Sequence, residues 1–97
     1  MDDLTAFLTA RLDEDEAAAR AAMPTGGRRN GKMTQRRVLA DIEAKRRIVA
    51  EFEQVHVDYR TAHTPTLEGQ RLGLLKAVAV LALPFADHAD YREEWRP

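Results

Sequence analysis

The chain has no cysteine and no serine, and these absences remove several kinds of chemistry. Without cysteine there is neither a disulfide nor a thiolate metal site, and without serine there is no serine nucleophile. The longest apolar run, residues 77–83, is too short to cross a bilayer. We find no set of nucleophile, base and orienting group, and no glycine-rich phosphate loop. The sequence therefore predicts a non-enzymatic protein without a metal or cofactor.

The chain also lacks an excess of charge of either sign. The 15 Lys and Arg residues nearly balance the 16 Asp and Glu residues, so no overall field favours nucleic acid or a membrane. The N-terminal stretch MDDLTAFLTARLDEDE is acidic and has neither the basic nor the apolar region of a signal peptide. We expect a cytoplasmic protein, and a chain of 97 residues corresponds to one domain.

Apolar residues recur with helical spacing in three segments. The spacing predicts helices over residues 3–22, 34–62 and 66–83, with a basic, glycine-rich loop at 23–33 and a short helical turn at 87–95. The expected fold is all-α: an antiparallel helical hairpin, a third apolar helix and the C-terminal turn. Thr34 is the expected N-cap of the second helix, since a hydroxyl can accept hydrogen bonds from free first-turn N–H groups.

The C-terminal tail contains two aromatic residues that are candidates for an interaction site. If Asp87 caps a helical turn, Tyr91 and Trp95 are four residues apart and share one face. We predict that both rings fold back onto the bundle or onto a dimer mate. The alternative is a docking peptide, since Trp and Tyr are enriched at binding hot spots.

The third helix is apolar on nearly every side. A helix of this kind is normally surrounded, and two partner helices from the same chain would not cover it. Leu72, Leu75 and Leu83 lie on its second apolar face. Because exposed leucines are costly for a small domain, we predict a homodimer that buries them.

Basic residues gather around the first loop, where no acidic residue occurs between Ala17 and Ala40. The cluster consists of Arg28, Arg29, Lys32, Arg36 and Arg37. Glycine lets a backbone approach a phosphate and arginine binds it with two donors. The cluster is either a phosphate-binding patch or an ordinary solvated loop, and the lack of interleaved aromatic residues favours the loop.

Charged residues also fall on the apolar stripes of the first two helices. Asp15 lies on the stripe of the first helix and Lys45 on that of the second. Antiparallel pairing would place residues whose numbers sum to about 57 side by side. We therefore predict an ion pair between Asp15 and either Lys45 or Arg46, because inward charges need partners.

Three stretches resemble a family of short proteins of unknown function from actinobacteria and their phages. They are FLTARLDEDEAAARAA (7–22), RVLADIEAKRRIVAEF (37–52) and LALPFADHADYREEWRP (81–97). Between these blocks the chain departs from longer members, which have a tryptophan-containing insertion after the first helix and a cysteine-bearing segment before the last. The resemblance implies an origin in actinobacteria or their phages, but it implies no activity.

These observations favour a helical interaction module that associates with itself. A narrower form of this hypothesis is a phage or mobile-element accessory protein that acts on a host protein. The alternative is a nucleic-acid-associated protein that uses the basic loop. A membrane partner is not expected.

Overall fold

The computed structural model describes residues 2–22 and 29–97, and this part of the chain is all-α, as the sequence predicts. Its helices are α1 (Asp2–Ala21), α2 (Arg29–Ala62) and α3 (Pro65–Ala82). Two 3-10 turns follow, at Leu83–Phe85 and Glu93–Trp95. Within the described residues, no helix has both the length and the apolar character that a membrane span requires.

The helices pack as an antiparallel hairpin with α3 returning along α2. Near the start of α2, Gln35 donates a hydrogen bond of 2.7 Å to the Ala19 carbonyl near the end of α1. Further along, Arg46 reaches Glu16 at 2.7 Å, within about one helical turn of the predicted register. All three helices contribute to the core, whose buried residues are Leu4, Phe7, Leu8, Leu12, Ile42, Val49, Phe52, Val78, Ala79 and Ala82.

The start of α2 differs from the prediction. The helix begins at Arg29 rather than at Thr34, so Thr34 is not its N-cap and the predicted 23–33 loop is shorter. Helical geometry continues through Gly31. One glycine disfavours a helix by only about 1 kcal/mol. The Gln35 side chain also ties this part of α2 to α1 by hydrogen bonds to the carbonyls of Ala19 and Ala22.

The ends of α3 lie one residue before the predicted ones. Thr64 caps the helix, since its hydroxyl oxygen accepts a 3.1 Å hydrogen bond from the Leu67 N–H. Pro65 follows in the first turn, where its missing N–H leaves no helical hydrogen bond unmade. Pro84 belongs to the 3-10 turn that redirects the chain after α3.

The C-terminal helical turn is shorter than the 87–95 that was predicted. No helix follows Asp87, and the only helical geometry there is the 3-10 turn at Glu93–Trp95. The His88 ring organises this stretch instead, because its Nδ1 accepts a 3.0 Å hydrogen bond from the Asp90 N–H. A side chain that satisfies a nearby backbone donor competes with helix formation.

The long α2 extends beyond the other two helices. It has 34 residues, compared with 20 in α1 and 18 in α3. Val38, in the first half of α2, is therefore 42% exposed. In α1 the last buried residue is Leu12. Beyond it the structure is a two-helix hairpin that α3 leaves open on one side.

Candidate functional site

The ion pair between α1 and α2 forms, but not with the predicted carboxylate. Arg46 lies 2.8 Å from Asp13 and 2.7 Å from Glu16. These contacts, Asp13 first, raise the pKa of Arg46. Hydrogen bonds from Arg20 and then from Arg46 lower the pKa of Glu16. The guanidinium therefore joins two carboxylates across the hairpin.

The prediction that Asp15 pairs with Lys45 or Arg46 is wrong. Asp15 is exposed, and Lys45 pairs within its own helix, 2.8 Å from Asp41. The physical reason lies in the length of the neighbouring helix. Asp15 continues the apolar stripe of α1, but it comes after Leu12, where α1 no longer has a third helix against it. Water can reach its carboxylate there without an ion pair.

The basic cluster is placed only in part. Arg28 lies outside the described residues, and Arg29 and Lys32 belong to the first turns of α2 rather than to a loop, with side chains outside the described part. Arg36 and Arg37 are exposed on α2. The structure therefore presents two exposed arginines on α2, about two turns from its N-terminal end.

The aromatic residues of the tail form a cluster on α1, which confirms the predicted fold-back. Phe7 is its centre, with ring centroids 5.2 Å from Trp95, 5.9 Å from Tyr91 and 5.5 Å from His88. Tyr91 and Trp95 also meet edge to face at 5.6 Å. Such edge-to-face pairs are favourable for aromatic rings. We call Phe7, His88, Tyr91 and Trp95 the tail cluster.

Polar contacts hold the tail cluster at its edges. Arg92 donates to the Asp3 carboxylate at 2.8 Å. The Arg11 guanidinium contacts the His88 ring, with Nη1 2.9 Å from Nδ1, and lies 3.1 Å from Glu14. The tail is thus attached to α1 by rings at the centre and charges at the rim.

An open cleft of about 560 Å³ runs between α1 and the tail. It is lined by the rings of Phe7, Tyr91 and Trp95 and by the Asp3–Arg92 pair. Asp3 and Arg92 hold each other at 2.8 Å across the cleft. Among the described residues, no group of three or more His, Asp or Glu side chains could hold a metal ion.

The outer surface of α3 carries the largest uncovered aliphatic side chains of that helix. Leu72 is 49% exposed and Val80 is 48% exposed. Leu75 and Leu83, which the sequence predicted on the same apolar face, are half-buried, and Leu75 packs against the core. Among the three predicted leucines, only Leu72 remains on the open surface.

The sequence analysis missed three residues of this surface: Val80, Gly69 and Gly73. Both glycines are exposed, and an added Cβ at either would meet no atom of the described residues within 4 Å. The signal in the sequence was the four-residue spacing of Gly69, Gly73 and Ala77, which places small residues along one side of a helix. We call Gly69, Gly73, Lys76 and Val80 the outer line of α3.

The comparisons with known proteins give a family without an assigned activity. Residues 1–97 match the model of the Family of unknown function (DUF6221), and the chain belongs to that family. No curated protein matches the chain, and no solved structure matches it. The expectation that the chain belongs to a family of unknown function is thereby confirmed.

Proposed function

We propose that this member of the DUF6221 family is a non-enzymatic helical interaction module that associates with itself through the outer surface of α3. The observation that carries the proposal is the pair of half-exposed side chains Leu72 and Val80 beside two open glycines. Covering the rest of each side chain would contribute roughly 1 kcal/mol, about half the value for burying a whole one. Glycine neighbours allow a second backbone to come close.

The tail is not part of this surface. Its rings are occupied by Phe7 at centroid distances of 5.2–5.9 Å, and Arg92 is occupied by Asp3. A tail that served as a docking peptide would have to leave these contacts first. We therefore assign the tail cluster a structural role, and α3 is the helix that the chain offers to a partner.

Mass measured against concentration tests the proposal. We expect sedimentation equilibrium to show the 11.0 kDa monomer at low micromolar concentration and a dimer at high concentration. A single helix pair buries less than the ~800 Å² per partner of a standard interface, so weak association is expected. The double variant Leu72→Glu, Val80→Glu should stay monomeric throughout.

Val57→Glu is the matched control, since Val57 is 55% exposed but lies on α2. It adds a carboxylate to an equally open aliphatic position and should dimerise like the parent. A parent that stays at 11.0 kDa over the whole range would refute self-association.

A second candidate function is nucleic-acid binding by the N-terminal part of α2. One observation favours it: Arg36 and Arg37 are exposed in a region without a carboxylate from Ala17 to Ala40. If both contact phosphates, replacing them with glutamine should reduce the slope of log K against log salt by about two. Arg47→Gln and Arg60→Gln, also exposed on α2, are the controls. A binding constant for duplex DNA that is unaffected by salt would eliminate this function.

A further inference from the structure

His88 joins the tail to α1 and also shapes the tail itself. Its ring meets the Phe7 ring edge to face, with centroids 5.5 Å apart, and the Arg11 guanidinium contacts it, with Nη1 2.9 Å from Nδ1. The same Nδ1 accepts a 3.0 Å hydrogen bond from the Asp90 N–H. The local structure of the tail and its attachment to a helix 77 residues away therefore depend on one nitrogen atom.

These contacts require the uncharged form of the His88 ring. A neutral imidazole carries a proton on one nitrogen and accepts at the other, whereas the charged ring donates from both. Because Nδ1 faces N–H groups of Asp90 and Arg11, the hydrogen bonds assign the proton to Nε2. A second proton would go onto Nδ1. It would remove the acceptor and place a positive charge beside a guanidinium, which is always charged.

Arg11 has little freedom to leave the ring. Its side chain is 11% exposed, and its guanidinium carbon lies 5.1 Å from the centroid of the Phe7 ring. Its Nε is 3.1 Å from the carboxylate of Glu14, which is largely exposed and is therefore screened by water and salt. A like charge this close disfavours the charged form of a titrating group. Movement of the tail, rather than of Arg11, relieves the repulsion.

The other titratable groups of this region leave the charge of Arg11 uncompensated. Asp87 and Asp90 flank the ring in the sequence, but both are exposed, and Asp90 meets the ring through its backbone N–H. At the other edge of the tail cluster, Asp3 is already held in an ion pair. The Tyr91 phenol adds no charge, since phenols are uncharged below about pH 9.

We propose that His88 is an acid-sensitive latch: protonation of its ring releases the C-terminal tail from α1, and the Phe7 and Trp95 rings become accessible. Proton binding and tail attachment oppose each other, so the attached state is favoured where the ring is neutral and is lost as the pH falls. Histidine is the side chain that ordinarily changes charge between pH 5 and 8. At neutral pH the tail keeps its structural role, and the latch does not depend on self-association.

Trp95 allows a direct test, because it is the only tryptophan of the chain and its ring centroid lies 5.2 Å from that of Phe7. Acrylamide quenching of its fluorescence is measured on the full chain from pH 8 to about pH 5, where carboxylates ordinarily stay charged. Quenching should approach that of free tryptophan as the pH falls. The released population should rise about tenfold for each tenfold preference of the proton for the released ring. The helical circular dichroism should stay unchanged, which separates release from unfolding.

Two asparagine variants identify the histidine. His88→Asn removes the titrating group, while its side-chain oxygen can accept the Asp90 N–H in place of Nδ1. We expect Trp95 to stay covered over the whole pH range in this variant. His63→Asn is the matched control, since His63 is exposed directly after α2, and it should respond to pH like the parent.

Arg11→Gln tests the charge without altering the histidine. The positive charge beside the ring is removed, so the rise in quenching between pH 8 and pH 5 should shrink, whatever the quenching at pH 8. Quenching of the parent that does not change with pH would overturn the latch, and so would a pH response that persists in His88→Asn. If His88→Asn exposes Trp95 at every pH, Arg11→Gln decides alone, and a response as large as that of the parent would overturn the latch.

Discussion

The tail cluster and the outer surface of α3 both carry apolar side chains, yet only the tail cluster is covered by the chain itself. In the tail cluster the Tyr91 and Trp95 rings pack on Phe7 from a segment more than eighty residues away in sequence. On the outer line, Val80 stays 48% exposed. Composition does not separate the two regions, since each contains a residue that the sequence indicated as a candidate for an interaction site, Trp95 in the tail and Leu72 on α3. What separates them is whether another segment of the chain returns to that surface.

The largest effect that would test this contrast is expected from Phe7→Ala. Phe7 is 7% exposed and is the ring on which the tail packs. Its removal should lower the free energy of unfolding by about 3 kcal/mol, through lost burial and the cavity left behind. Urea denaturation measures it, with Val57→Ala as an exposed control expected to stay within about 0.5 kcal/mol. If Phe7→Ala lowered the free energy of unfolding by less than about 0.5 kcal/mol, the tail would not be held by Phe7.

A smaller loss is expected from Trp95→Ala. The ring is half-buried and touches Phe7 and Tyr91, so truncation should lower the free energy of unfolding by about 2 kcal/mol, less than for a fully buried aromatic residue. Amide hydrogen exchange should at the same time become faster in the tail. The comparison variant is Leu72→Ala, which should change the stability of the dilute protein by less than about 1 kcal/mol. Equal losses in the two variants would remove the contrast between the regions.

Gly73→Ala should act in the opposite direction. At a concentration where the protein is monomeric, we expect the free energy of unfolding to rise by up to about 1 kcal/mol, because alanine favours an exposed helical position. Thermal denaturation followed by circular dichroism measures the change. A decrease in the free energy of unfolding would show that the folded monomer itself requires the glycine. Both regions would then contribute to the stability of the monomer, which contradicts the contrast between them.

The smallest effect is expected at the α1–α2 ion pairs, which lie outside both regions. Because Arg20 and Arg46 lower the pKa of Glu16 in the folded protein, the charged form contributes stability above the ordinary value of 4.5. That contribution is lost as the pH falls through the lowered pKa. Arg46→Gln should move the pKa of Glu16 back towards its ordinary value in an NMR titration. Arg47→Gln should leave it unchanged, and an equal shift in both variants would contradict the assignment.

Patterns within single segments of the sequence were sufficient to predict much of the fold. Apolar spacing predicts the all-α class, and Pro65 predicts the end of α2. The aromatic residues near the C-terminus predict the fold-back of the tail. Asp15 was misplaced because a helical wheel shows which side of a helix faces inward but not where the neighbouring helix stops. The contacts of His88 with Phe7 and Arg11 involve residues about eighty positions away. No spacing rule within one segment contains that information.

Gln35 has a consequence for how the family can vary in length. Its amide donates to the carbonyls of Ala19 and Ala22, and Arg46 holds Asp13 and Glu16 further down the same pair of helices. The alignment of the hairpin is therefore set by contacts on the helices, independently of the residues that connect them. Doubling the length of a flexible connection costs only about 0.6 kcal/mol. Evolution can thus insert sequence between α1 and α2 while the three-helix body and the outer line of α3 stay where they are.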